Sequence, residues 1–318
     1  MLKKLLNIWR GRQKRAGQLK PAMQGVERIV RTRCPNLILD RKNRGLMMDA
    51  VQTAMNHVAG LIDQIPGPVG CVPENWDTDP ALNALFVDAD AIRQTLETSQ
   101  PLKTFFKQTD APRCVALLTA AWQEKTMFGT AKEGEILRRG VAQQAISFED
   151  HQFVAPAEDL ETAKTALKKE VLVSLCRQTF GQTRDLKEWE AELKQQRDLL
   201  AFKINPGNGG TRDDAYAEEK QVLGDIDRKI QSIQDELGNS ESNFRYMIGI
   251  LSKPQELIRF DTVSLRLSRL GIVLNAESDP FANELTLAKY KIGQMPEQGA
   301  IWAIVSRDAV EAPRSGGN

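Results

Sequence analysis

Three features of the sequence predict an α+β protein that is mainly α. A heptad pattern is mirrored about residue 208, helical apolar spacing runs through the first 150 residues, and alternating apolar residues are confined to the last sixty. These divide the chain into a basic amphipathic tail (1–19), a helical domain (20–156) and a long antiparallel coiled-coil hairpin (157–252). A small antiparallel β domain (253–311) and a disordered tail (312–318) complete it.

Composition sets the outer bounds. A chain of 318 residues has room for two domains and an ample core. Hydrophobic content of 41% and charged content of 27% are ordinary for a globular protein. The balance of 43 basic and 42 acidic residues makes no global case for a nucleic-acid partner. Cys34, Cys71, Cys114 and Cys176 are far apart. That spacing suits reduced intracellular thiols rather than disulfides or a zinc site, so no metal and no cofactor is expected. There is no apolar run of about 18 residues and no signal-peptide core at the N-terminus. The expected location is the cytoplasm, or the inner face of a membrane.

Charge is uneven. The first twenty residues carry Lys3, Lys4, Arg10, Arg12, Lys14, Arg15 and Lys20 with no acid, a net +7 against −6 for the rest. Leu2, Leu5, Leu6 and Trp9 fall on one helical face. A basic helix with a Leu/Trp face suits an anionic membrane or another polyanion. A mobile tail, or one docked on its own domain, fits the same pattern.

Residues 20–156 read as five to seven helices without a sheet. The cleanest spans about 44–65, with Met47, Val51, Ala54, Val58, Leu61 and Ile65 at threes and fours. Asp79–Pro80 supplies an N-cap and an N1 proline, and similar punctuation occurs at "SQP" (99–101) and "TDAP" (109–112). The helix expected after 112 carries Val115, Leu117, Leu118, Ala121 and Trp122. Another is expected near 131–144. "ISFEDHQFVAP", 146–156, reads as extended.

From Pro156 the seam runs Leu172, Thr179, Leu186, Leu193, Leu200. Beyond "NPGNGGTRDD" it resumes as Tyr216, Leu223, Ile230, Leu237, Phe244 and Leu251, with Ile226, Ile233 and Met247 between. Apolar residues alternating three and four apart are the coiled-coil pattern. Folded back at Asn208, Leu193 meets Leu223, Leu186 meets Ile230, Leu200 meets Tyr216, and Trp189 lies near Ile226. The glycines then form the hairpin tip (205–211), not a phosphate loop, which needs G-x-x-x-x-G-K-[ST] behind a strand. Gly181 should leave a local flaw in the first arm, and "GNS" (238–240) should break the second although the heptad phase survives across it.

The last sixty residues alternate as strands do. Ile258 and Phe260 share one parity and Val263, Leu265 and Leu267 the other, which predicts a bulge or kink near 261–262. "LTLAKYKI" (285–292) and "AIWAIVS" (300–306) complete a sheet of three to five strands.

Candidate chemistry is thin. His57 lies beside the apolar stripe of its helix. His151 follows Glu149 and Asp150, and an acid near an imidazole can tune a general base. Arg138 and Glu135 belong to a dense charged run, "GTAKEGEILRR" (129–139), which reads either as a solvated face or, with His151 and Asp150, as a ligand pocket. No H-E-x-x-H, G-x-S-x-G or di-iron spacing occurs.

The first functional expectation is therefore a non-enzymatic interaction protein. Its hairpin would bind a protein partner or itself through Leu186, Trp189, Leu193, Leu200, Tyr216, Leu223, Ile226 and Ile230. The alternatives are a peripheral membrane protein anchored by residues 1–15, and an enzyme or ligand-binding protein with a cleft around His151.

Overall fold

The computed structural model describes residues 22–34, 36–133, 136–179, 181–204, 213–238, 240–274 and 282–311. In chain order the elements are α1 (22–33), α2 (Arg41–Ile62), β1 (Val69–Cys71), α3 (Pro80–Leu85), α4 (Ala89–Thr98), α5 (Gln100–Gln108), β2 (Arg113–Glu133), β3 (Ile136–Ala157) and α6 (Leu160–Thr179). There follow α7 (Gly181–Ile204), α8 (Asp213–Gly238), α9 (Ser240–Ser252), β4 (Ile258–Leu267), β5 (Asn283–Ile292), β6 (Gln298–Ser306) and α10 (Arg307–Glu311). The chain divides into two compact units. One comprises 1–54 and 172–253, the other 55–171 and 254–318.

Much of the local punctuation acts as expected. Asp79 caps α3, its Oδ1 accepting the amides of Ala81 (2.8 Å) and Leu82 (3.1 Å), with Pro80 next in line. Ser99 and Pro101 open α5. α6 ends at Thr179 and α7 begins at Gly181, and α8 gives way to α9 across 238–240. Residues 180 and 239, beside which the flaw at Gly181 and the break at "GNS" were expected, lie outside the described residues.

The fold class itself needs correction. The protein is not a helical body with a small C-terminal β unit. A large curled sheet is central to it, with six strands among the described residues in the order β3-β2-β6-β5-β4, and β1 parallel to β6. The helices expected after 112 and near 131–144 are the two longest strands, β2 and β3. The reason is burial on both faces. Residues 116–122 are all buried, so the run lacks the alternation that marks a half-exposed strand, and its threes and fours mimic a helix. Around 131–144, good helix formers are overridden by the ladder to β2, which continues to Glu133↔Ile136.

The sheet curls because β3 bulges. Gly140, Asp150 and Ala155 all take positive φ (73°, 53°, 51°) where the ladder to β2 shifts register. Each extra residue increases the local twist. The sheet's outer strands then meet through residues 268–274. Ile146 N–H donates to the Gly271 carbonyl (2.8 Å) and Val273 N–H to that of Gln144 (2.9 Å). Leu274 N–H donates to Arg266 of β4 (2.8 Å). Gly271, at φ 74°, leaves no room for a side chain, since a Cβ would strike the Ile146 carbonyl oxygen.

Inside the curl, Leu118, Phe148, Phe153, Leu287 and Ile301 pack with Leu82, Ile92, Leu96 and Phe106 from α3, α4 and α5. Arg307 pins the end of α5. Its guanidinium donates to the carbonyls of Phe106 (2.9 Å), Thr109 (2.6 Å) and Ala111 (3.2 Å). The bulge expected near 261–262 is absent, because β4 pairs with β5 without a shift from Ile258 to Leu267. The parity change instead reflects a change of covered face. Val263, Leu265 and Leu267 join the core, whereas the Thr262 hydroxyl, on the face of Ile258 and Phe260, donates to the Gln64 carbonyl (3.5 Å).

The other unit is helical. α1 buries Val26 and Val30, α2 buries Met47 and Val51, α6 buries Leu172 and Leu175, and α9 buries Phe244, Met247 and Leu251. α1 runs close to α6, where a Cβ on Gly25 would touch Val173 at 3.4 Å. No described helix is long and apolar enough to cross a membrane.

Candidate interaction surfaces

α7 and α8 form the arm. Leu193, Ile230 and Ile233 are buried together, with Ile226 packed against them. Gln234 Nε2 (2.8 Å) and Lys194 Nζ (2.7 Å) both donate to Glu190 Oε1. A pairing of 190 with 234, and a cluster holding 193 with 230, make the helices antiparallel. They also set a register one heptad away from the expected one. Leu193 meets Ile230 rather than Leu223, and the same register puts Leu200 level with Leu223. A heptad seam is self-similar, so a seven-residue slip again lays apolar on apolar, and spacing alone does not choose between the two. The tip, 205–211, lies outside the described residues, as do the side chains of Leu186 and Tyr216.

The register also decides which apolar side chains stay wet. Trp189, expected near Ile226, stands level with Asp235 and is 47% exposed. Leu200, Leu223 and Ile226 are half-buried. Toward the tip, Leu199 (61%) and Phe202 (68%) sit one turn apart on α7, and Phe202 is level with Val222 (45%) on α8. Sequence reasoning passed over these three because they lie off the seam. Their signal was their position, since they are large apolar residues at places where a two-helix arm faces water.

His151 has a different surrounding from the one its neighbours suggested. It sits in the second bulge of β3. Its Nε2–H donates to the Leu85 carbonyl (2.8 Å), and its ring stacks on Phe86 (4.1 Å between centroids, 22°). Burial, above all, holds the imidazole below its usual pKa; the Leu85 bond and the Asp150 charge oppose that. Asp150 is exposed and in the left-handed region, serving the bulge. Arg138 lies thirteen residues away along the same strand, roughly 40 Å at the rise of an extended chain. The structure therefore does not bring it to His151. The Arg138 side chain and all of Glu135 lie outside the described residues. His57 is half-buried on α2.

One charged cluster among the described residues had no sequence signal. Lys289 Nζ binds Glu124 Oε1 (2.7 Å) and Glu297 Oε2 (3.0 Å) and lies 4.6 Å from the Trp122 ring. Trp122 Nε1–H donates to the same Glu124 oxygen (2.6 Å), and Gln144 Nε2 to the other (3.2 Å). The Lys289 and Trp122 bonds hold Glu124 below the usual carboxylate range. Each polar group in this cluster is already satisfied by another, so it fastens β2, β3, β5 and the turn before β6 rather than offering a vacant site. Among the described residues no group of His, Cys, Asp and Glu has a metal-binding arrangement.

All four cysteines are free and buried. Burial raises Cys34 to about 11 and Cys71, Cys114 and Cys176 to about 12, which removes thiolate chemistry near neutral pH. The basic N-terminal residues Lys3, Lys4, Trp9, Arg10, Arg12, Lys14 and Arg15 lie outside the described residues. No protein-family model, curated protein or solved structure matches the chain.

Proposed function

We propose that this chain is a non-enzymatic interaction protein that uses the α7–α8 arm to bind a protein partner or a second copy of itself. The supporting observation is the exposed trio Leu199, Phe202 and Val222 beyond the arm's buried layer. Burying such side chains gains roughly 1.5–3 kcal/mol each, and clustered apolar residues surrounded by charge are the usual centre of a protein interface. The His151 environment argues for packing over catalysis, because its Nε2 and one ring face are already engaged. Four buried free thiols suit a reducing compartment, which supports a cytoplasmic location.

Sedimentation equilibrium of the full chain, beside Leu199→Ser/Phe202→Ser, tests this. Mass that rises with concentration and falls back in the variant supports self-association. If the wild-type chain is monomeric, chemical cross-linking in its native extract should yield adducts that the variant lacks. Identical behaviour of the two chains in both assays removes the reading.

A further inference from the structure

The elbow between α1 and α2 carries a second surface, independent of the arm. Residues 22–48 hold six basic side chains (Arg28, Arg31, Arg33, Arg41, Lys42, Arg44) against Glu27 and Asp40. All six are exposed. Glu27 is taken by Arg31 at 2.8 Å and Arg44 at 4.0 Å. Asp40 accepts the Asn43 amide (2.8 Å) and so caps α2. Arg28, Arg33, Arg41 and Lys42 have no acidic partner among the described residues.

Between these cations the chain reads "NLILD", and Ile38 at its centre is 78% exposed. The loop is well tied. The Asn43 side chain donates to the Ile38 carbonyl (2.9 Å), and the Leu37 amide to Cys34 (3.0 Å). A large aliphatic side chain is thus exposed on this turn, with the exposed cations Arg33 before it in the chain and Arg41 and Lys42 after it. Two hollows of about 350 and 520 Å³ flank the turn, sharing Leu39 and Arg44.

We propose that this elbow docks on an anionic lipid bilayer, with Ile38 entering the acyl boundary and Arg33, Arg41 and Lys42 meeting the headgroups. Cations around an apolar tip are the two components of interfacial binding. Nucleic acid explains the cations but leaves Ile38 without a role, and residues 22–48 contain no aromatic side chain on which a base could stack. Docking by the chain's own basic N-terminus is opposed by like charge. The first 48 residues hold 13 basic and 2 acidic groups, the other 270 hold 30 and 40, so both N-terminal stretches favour the same anionic surface.

Flotation of the full chain tests this with vesicles of phosphatidylcholine alone and with about one-third phosphatidylserine. The expected result is binding to the anionic vesicles only, weakened by salt. Ile38→Ser keeps every charge and, with its side chain already in water, leaves the fold unchanged by circular dichroism. It should weaken binding roughly tenfold, the loss of one buried aliphatic side chain. Arg33→Gln/Arg41→Gln/Lys42→Gln should lose more. A full chain with Lys3, Lys4, Arg10, Arg12, Lys14 and Arg15 changed to Gln should retain binding that depends on Ile38. The proposal is overturned if Ile38→Ser binds like the wild type, or if the N-terminal Gln variant no longer floats. It is equally overturned if duplex RNA displaces the vesicles and binds both Ile38 forms alike.

Discussion

Cysteines replacing Leu193 and Ile230 would join α7 to α8 through their buried layer. The two side chains lie in one cluster, beside the hydrogen bond from Gln234 to Glu190. Closing a loop of roughly 38 residues removes about 13 cal/mol/K from the unfolded chain, or about 4 kcal/mol at 25 °C. The apolar volume lost in the two substitutions is common to the oxidised and reduced forms, so it cancels when these are compared. Urea unfolding of Leu193→Cys/Ile230→Cys, oxidised against reduced, should therefore differ by about 2–4 kcal/mol, allowing for native-state strain. Leu193→Cys/Leu223→Cys is the contrasting pair. Seven residues along α8 displace position 223 by about 10 Å, beyond the Cα separation that a disulfide spans. The native thiols do not compete, because burial lifts them to about 11 or 12 and leaves little thiolate at pH 8. Rates of cross-linking, read by non-reducing electrophoresis, should favour the 193–230 pair strongly. Faster cross-linking of 193 with 223 would refute the register, and with it the level placement of Phe202 and Val222 on which the proposed docking surface rests.

Other outcomes follow from the second unit. Arg307→Ala should lower stability by about 2–3 kcal/mol in urea titration, since three carbonyls at the end of α5 lose a charged donor; Arg307→Lys, with one ammonium, should recover only part. Burial holds His151 below the ordinary imidazole value of 6.5, so the unfolded chain binds its proton first as pH falls. Its contribution is complete above about pH 6.5 and declines on acidification toward the lower folded value, with a slope of at most ~1.4 kcal/mol per pH unit; His151→Phe should flatten that segment of the stability–pH curve. Glu124 is depressed below 4.5, so its contribution is present above that value and is lost as pH falls through the folded one. Wild type should exceed Glu124→Gln at pH 7, and the gap should close in acid. Gly271→Ala should destabilise by more than 1 kcal/mol, because the new Cβ meets the Ile146 carbonyl oxygen at a positive φ, and amide exchange at Val273 should rise.

The site was legible in part. The antiparallel pairing of two helices follows from short-range spacing. Its register does not, because every seventh residue offers an equivalent apolar contact. His151 drew notice through its acidic neighbour, yet what surrounds it is Leu85 and Phe86, more than sixty residues earlier in the chain. Lys289 and Glu124 are 165 residues apart, and no pattern in either stretch points to the other.

What the sequence determined alone is what a few neighbouring residues decide. Asp79 and Pro80 start a helix, Ser99 and Pro101 start another, and the run 258–267 is extended, because caps and turns depend on local backbone groups. What only the tertiary structure decided is which strands pair and which faces are covered. β2 lies between β3, its neighbour in the chain, and β6, with Arg113 opposite Ser306 and Ala121 opposite Gln298. That partner covers an edge of β2, and packing on both faces buries residues 116–122. The strand then has no solvent-facing side to impose alternation, so its apolar run carries helix and strand readings equally until the distant partner is in place.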